Sequence, residues 1–150
     1  MSIRHRLSVA IFALSSTLAA PIFAQQAPQA RGDSREAVYL SPVEADDMLS
    51  GMRHYLETIQ GIVAALAEND TIRGADIAAT SGAKMLQSVP PTTGLKVPFG
   101  FTMMSVNTHD KFDQLADKIR RGTSRAEVLS DLRDIMSNCI SCHATYRMAR

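Results

Sequence analysis

The stretch from Ser124 to Arg147 reads SRAEVLSDLRDIMSNCISCHATYR and contains both cysteines of this 150-residue chain. It opens with a capping box, Ser124 followed by Glu127, which is a signal for the start of a helix. Apolar positions and the two cysteines then recur in steps of three and four. These positions are Val128, Leu132, Ile135, Cys139, Cys142 and Tyr146. The stretch therefore predicts an amphipathic helix with two thiols on its inward face.

Three further helices are predicted upstream, and no strand pattern competes with them. The first begins at Ser41, which forms a capping box with Glu44, and it carries a continuous apolar stripe. The stripe comprises Met48, Met52, Tyr55, Ile59, Ile62 and Leu66. The second helix is predicted over residues 70–85 and the third over 101–121, with a loop rich in proline and glycine over 88–100. Four helices with mostly short connections predict an all-α fold, an up-down-up-down four-helix bundle.

The first 24 residues are typical of a secretory signal peptide. Arg4 and Arg6 precede an uncharged apolar run over residues 7–24, which is short and only moderately apolar for a membrane span. We expect cleavage after Ala24, with a retained membrane anchor as the alternative. Residues 25–40 are expected to form a flexible leader ahead of the 41–150 domain. Export predicts a periplasmic protein with no stable membrane insertion after the signal is removed.

The charge balance excludes one class of function. The whole chain has a net charge of +1, and removal of the signal peptide takes away two arginines and no acid, leaving −1. A surface that binds nucleic acid is strongly basic. We therefore expect no nucleic-acid partner.

Cys139, Cys142 and His143 form the Cys-x-x-Cys-His pattern of c-type haem attachment. Each thiol can add to one vinyl group of a haem, and the adjacent imidazole is a standard ligand of haem iron. A disulfide would close only a tiny loop, and a thioredoxin-like thiol belongs at a helix N-terminus rather than near a C-terminus. A zinc site needs a fourth ligand, whereas His54 and His109 have no ligand spacing to the motif and are expected to face solvent or a helix contact. The pattern predicts one covalent haem c.

The chain resembles the cytochrome c′ family, the class II c-type cytochromes built as four-helix bundles. The resemblance rests on the exported helical architecture and on a motif in the last helix, Cys-x-Ser-Cys-His-x-x-Tyr-Arg. The motif residues are Cys139, Ser141, Cys142, His143, Tyr146 and Arg147. The family implies a haem held inside the bundle near one end, His143 as proximal ligand and Arg147 close to the proximal side. Members often pair as homodimers through the first helix.

Members of this family differ in the sixth ligand of the iron. Some leave the iron five-coordinate, whereas others bind it through a methionine of the first helix. Counting back from AALAEND at the end of that helix places the position at Met52. In the predicted topology, Met52 lies about 16 Å along its helix and His143 about 10 Å from the end of the chain, at similar depth. Met48, His54 and an open site are the alternatives, and Met48, Met85, Met103 and Met104 are expected towards the same end.

The expected function is single-electron transfer between redox partner proteins, with the iron bound by His143 and Met52 in a low-spin state. The soft thioether of methionine favours the ferrous form. No enzymatic activity of its own is expected. The alternative is a five-coordinate cytochrome c′ that binds nitric oxide or carbon monoxide at an open distal site. A thiol redox protein or a zinc protein without haem is the third interpretation.

Overall fold

The computed structural model describes residues 32–149, so the predicted signal peptide, most of the predicted leader and Arg150 lie outside it. The described residues are mostly helical, which is consistent with the predicted all-α class. None of their helices is long and apolar enough to cross a membrane. The elements in chain order are β1 (Glu36–Val38), α1 (Pro42–Ala67), α2 (Thr71–Thr80), a 3₁₀ helix (Ala83–Ser88), α3 (Pro91–Gly94), α4 (Phe99–Arg120), α5 (Arg125–Thr145) and β2 (Tyr146–Met148).

Both predicted capping boxes are present. At the start of α1, the Ser41 hydroxyl accepts a hydrogen bond from the Glu44 N–H at 3.4 Å, and the Glu44 carboxylate accepts one from the Ser41 N–H at 2.8 Å. Ser124 and Glu127 make the same exchange at the start of α5, at distances of 3.3 and 3.1 Å. The starts of these two helices are therefore confirmed, because each is determined by residues three positions apart.

The second helix is shorter than predicted. It begins after Asp70 as expected but ends at Thr80, and a 3₁₀ helix follows it. Gly82, just beyond this end, leaves room for Asp113 of α4: a Cβ there would lie 1.8 Å from Oδ1 of Asp113, whose other carboxylate oxygen accepts a hydrogen bond from the Ala83 N–H at 2.8 Å. The close approach of an α4 side chain thus provides a partner for a backbone group that a regular helix would use internally.

The four-residue helix α3 lies in the segment predicted to be an irregular loop, and this segment is tied to the start of α1. The Lys96 ammonium donates to both carboxylate oxygens of Glu44, at 2.7 and 2.8 Å, and the Thr93 hydroxyl donates to Glu44 at 3.2 Å. Hydrogen bonds from Lys96 and from Ser41 lower the pKa of Glu44 to about 2. One carboxylate therefore caps a helix and anchors a loop.

Two short strands correct the expectation that the chain contains none. β1 and β2 pair in parallel, with Val38 opposite Met148. Val38, which lies in the predicted leader, is only 2% exposed. Tyr146, predicted as the last inward position of the final helix, lies in β2 beyond the end of that helix. The end of the predicted leader is ordered because its backbone groups pair with a distant segment, which a local pattern does not reveal.

The fully buried core is formed by the C-terminal half of α1, by α2, by the C-terminal half of α4 and by the N-terminal half of α5. α2 packs against both α1 and α4, and α4 packs against α5. Along α5, the inward positions are buried from Val128 to Ile135 but only half-buried at Cys139 and Cys142. The C-terminal turns of α5 therefore lie outside the fully buried core. The core residues are Ile62, Leu66, Ala75, Ala78, Phe112, Leu115, Ala116, Ile119, Val128, Leu132 and Ile135.

Candidate functional site

The three motif residues lie in the last two turns of α5. Cys139 and Cys142 are free, half-buried thiols, and Cys139 Sγ lies 3.8 Å from the carbonyl oxygen of Ile135, one turn earlier. The two residues between the thiols are exposed, and so is His143. The helix therefore turns both thiols inward, as the stripe predicts, and places His143 beside the inward face at the surface.

Burial raises the pKa of both thiols. For Cys139 burial is the main cause, and for Cys142 the neighbouring Cys139 adds to it. Thiols with a raised pKa stay protonated near neutral pH, and the thiolate is the form that attacks disulfides. This environment disfavours the thioredoxin-like interpretation, which needs a lowered thiol pKa.

A series of hydrogen bonds, half-buried at Tyr55 and buried at His109, runs from α1 to α4 and on to the C-cap of α2. The Tyr55 hydroxyl lies 2.7 Å from His109 Nε2, and His109 Nδ1 lies 2.8 Å from the carbonyl oxygen of Ser81. Because a carbonyl oxygen can only accept, Nδ1 carries the proton and Nε2 accepts a hydrogen bond from the Tyr55 hydroxyl. His109 is 3% exposed, and both nitrogens of its buried ring have a hydrogen-bond partner.

Tyr55 lies between these hydrogen bonds and the two cysteines of the motif. Burial is the main cause that raises the pKa of Tyr55, and the nearby Cys139 and Cys142 raise it further. The Tyr55 ring stacks on Phe112, with ring centroids 5.8 Å apart. The phenol is therefore a neutral hydrogen-bond donor held between the buried core and the two thiols.

The sequence identifies only part of this cluster. It predicts Tyr55 on the inward stripe of α1 but does not identify its partner. Of the two placements expected for His109, the structure shows the helix contact, and His54 lies on α1 with Nδ1 3.9 Å from the Glu57 carboxylate. The available signal is that His109 precedes Phe112 by three residues and so shares its face of α4.

The methionines expected near the motif differ in their exposure to solvent. Met103 is 50% exposed, whereas Met85 packs on α1, with its methyl carbon 3.3 Å from the point where a Cβ on Gly51 would stand. Met85 therefore lies against the turn of α1 that carries Met52. The half-buried methionines are Met48, Met52, Met85 and Met104.

Met52 lies on α1 one turn before Tyr55. His143 lies on α5, and α1 and α5 are not among the closely packed helix pairs of the described residues. Tyr55, on the same helix, is close enough to Cys139 and Cys142 for these thiols to raise its pKa.

His143 and Arg147 are tied to the segment that precedes α1. Arg35 Nη1 donates a hydrogen bond to the carbonyl oxygen of His143 at 3.1 Å. Arg147 Nε lies 3.7 Å from the Asp33 carboxylate, and it is buried without a hydrogen-bond partner among residues 32–149. Buried N–H groups nearly always have an acceptor, so this donor is suited to an acceptor on a bound group.

A metal site made by side chains alone is not present in the described part of the chain. No group of three or more His, Cys, Asp or Glu side chains is arranged there to hold an ion. A structural zinc site would require such a group. Haem iron requires only axial ligands from the protein, because the porphyrin supplies the others.

Comparison of the chain with protein-family models, with curated proteins and with solved structures found no match. The function therefore has to be inferred from the residues and their geometry, since a helical fold by itself does not imply a function.

Proposed function

We propose that this protein is a periplasmic monohaem cytochrome c of the bundle type, similar to the cytochromes c′, that carries single electrons between redox partner proteins. The observation that carries the proposal is the position of Cys139, Cys142 and His143 in the last turns of one helix, with both thiols inward and half-buried. A bound haem c supplies an iron that accepts and releases one electron.

Two features of the structure support the fit of this cofactor. The fully buried core of α5 ends at Ile135, and the inward positions beyond it are the two cysteines. The buried Arg147 Nε is a donor without an acceptor in the described chain, and the propionates of a haem are acceptors. Both features lie towards the same end of α5.

Each residue of the site has its own role. Cys139 and Cys142 hold the cofactor through thioether bonds, and His143 provides the proximal imidazole. Arg147 provides a positive charge and a hydrogen-bond donor. Met52 provides the sixth ligand, since it lies on α1 one turn before Tyr55, which is near both thiols, whereas Met48 lies a turn further away.

The arrangement of the four longer helices as an up-down-up-down bundle is part of the proposal. The α1–α2 and α4–α5 connections are short, and short connections join antiparallel neighbours. Between α4 and α5, Asn138 donates to Asn107 at 2.8 Å and Lys118 donates to Asp131 at 2.8 Å. Residues further along α4 thus meet residues earlier in α5, which supports an antiparallel pair.

Mass spectrometry of the protein purified from an exporting host tests the cofactor. We expect the mass of a chain beginning at Gln25 plus one haem, with the pigment retained after acid-acetone extraction. A polypeptide mass alone, with extractable pigment or none, would contradict covalent attachment. An intact Met1 would contradict cleavage of the signal peptide.

Absorption spectra test the axial ligand and separate the carrier from the gas-binding alternative. We expect low-spin ferric haem in the wild type and high-spin haem with a lower reduction potential and faster carbon monoxide binding in Met52→Ala. Met48→Ala is the matched control and should keep the low-spin spectrum. A high-spin wild type that binds carbon monoxide readily would favour the five-coordinate alternative. Loss of the low-spin state only in Met48→Ala would place the ligand one turn earlier.

A homodimer through α1 completes the proposal. The helix exposes three apolar side chains at intervals of seven residues, Leu49, Leu56 and Val63, which are 40%, 68% and 46% exposed. Such spacing places them on one face, as in helix pairs. Sedimentation analysis should show a dimer that Leu56→Glu dissociates, whereas Leu129→Glu on α5 should leave it intact. A monomeric wild type would exclude this part of the proposal.

A further inference from the structure

The segment from Asp33 to Val38, here called the strap, precedes α1 but contacts the opposite end of the chain. Its strand β1 pairs with β2, and the Ala149 N–H donates to the Val38 carbonyl oxygen at 2.9 Å. Two three-residue strands are marginal by themselves in water. The Val38 side chain is 2% exposed, and its burial stabilises this pair of strands.

Arg35 extends the strap to the motif helix. Its Nη1 donates to the His143 carbonyl oxygen at 3.1 Å across a separation of 108 residues. Its Nε and Nη2 donate to the two carboxylate oxygens of Asp33, at 2.9 and 2.7 Å. The carboxylate therefore holds the guanidinium in the orientation that reaches His143.

The His143 carbonyl oxygen is an acceptor for which α5 itself provides no partner. The last four carbonyl groups of an α-helix have no partner within it, and a cation at that end interacts favourably with the helix dipole. His143 is within these last residues of α5, which ends at Thr145. Arg35 thus provides a hydrogen-bond donor for the His143 carbonyl oxygen and restrains the backbone of this residue.

His143 is held through its backbone rather than through its imidazole ring. Within residues 32–149, the hydrogen bond made by His143 to another side chain involves its carbonyl oxygen and not its ring. Imidazoles that bind metals usually have their second nitrogen fixed by a neighbouring group. For His143, the orientation of the ring therefore depends on the backbone that carries it.

We propose that the strap is a positioning clamp for the proximal ligand, in which Arg35, oriented by Asp33, fixes the His143 backbone. This inference rests on the proposed function, in which His143 binds the haem iron. Arg35 is a positioning residue, because it acts on the iron only through His143. The strap also keeps Asp33 beside Arg147, so it positions two residues of the same site.

Hydrogen exchange of the protein purified from an exporting host tests the clamp. In wild type, the amides of residues 146–149 should be protected relative to exposed loops. Arg35→Ala should speed their exchange roughly tenfold, because a hydrogen bond from a charged group is lost, and leave the core of α1 and α4 unchanged. Arg73→Ala is the matched control, since Arg73 is an exposed arginine paired with Glu68 in the α1–α2 connection.

The electron paramagnetic resonance spectrum of the ferric protein is the second readout. Arg35→Ala should broaden or shift the signal, because the imidazole samples more orientations, and Arg35→Lys should restore part of the wild-type spectrum. The clamp is wrong if residues 146–149 of wild type exchange like a loop, or if Arg35→Ala leaves either the exchange or the spectrum of the haem-loaded protein unchanged. If the wild type carries no haem, the proposed function fails, and the exchange data alone then decide whether the strap holds the end of α5.

Discussion

Replacing Tyr55 by phenylalanine removes one oxygen atom from the buried cluster beside the thiols. The ring is kept, so its stacking on Phe112 at 5.8 Å is preserved. What is lost is the hydrogen bond of 2.7 Å to His109 Nε2. Because the His109 proton lies on Nδ1, which is bonded to Ser81, Nε2 becomes an acceptor without a donor in a side chain that is 3% exposed.

The magnitude follows from this unpaired acceptor. A buried polar group left without its partner costs about 1–3 kcal/mol, more than the net value of about 1 kcal/mol for a typical paired hydrogen bond. We therefore expect Tyr55→Phe to lower the free energy of unfolding by about 2 kcal/mol. For a domain of this size, that corresponds to a decrease in melting temperature of roughly 8 °C.

Urea unfolding followed by far-ultraviolet circular dichroism measures the effect. The midpoint should fall by roughly 1–2 M, given the slopes typical of small domains. Tyr39→Phe is the matched control, because Tyr39 is 74% exposed and the same oxygen is removed there from solvent. The double variant Tyr55→Phe, His109→Leu should lose less than the sum of the single variants, because no unpaired nitrogen remains. Equal midpoints for Tyr55→Phe and Tyr39→Phe would refute the reasoning.

Two further predictions concern the loop and the second helix. The pKa of Glu44 is lowered from 4.5 to about 2, so its contribution to stability is complete above about pH 4.5 and is lost as the pH falls towards 2. The difference in urea midpoint between wild type and Glu44→Gln should shrink over that range, and a constant difference would contradict the ion pair with Lys96. Gly82→Ala should cost about 1–3 kcal/mol in urea unfolding, because the new Cβ displaces the Asp113 carboxylate from the Ala83 N–H. A wild-type midpoint for Gly82→Ala would show that Asp113 can move without loss.

The features that the sequence determines are those set by neighbours along the chain. Ser41 with Glu44 and Ser124 with Glu127 define helix starts, because a capping box needs only a hydroxyl and a carboxylate three residues apart. The spacing of Cys139 and Cys142 on the inward face is likewise local, since three residues are nearly one helical turn. These elements appear in the structure where the pattern places them.

Other features depend on partners that the fold selects. The partner of the Ala83 N–H is Asp113 of α4, and the partner of His109 Nε2 is Tyr55 of α1. The order of the strap depends on Val38 and on backbone groups at the other end of the chain. Neither residue type nor local period encodes these partners, because each contact joins segments that only packing brings together. The sequence by itself thus determines where α1 and α5 begin and how Cys139, Cys142 and His143 are spaced, and the tertiary structure alone decides what surrounds the thiols and what holds the backbone of His143.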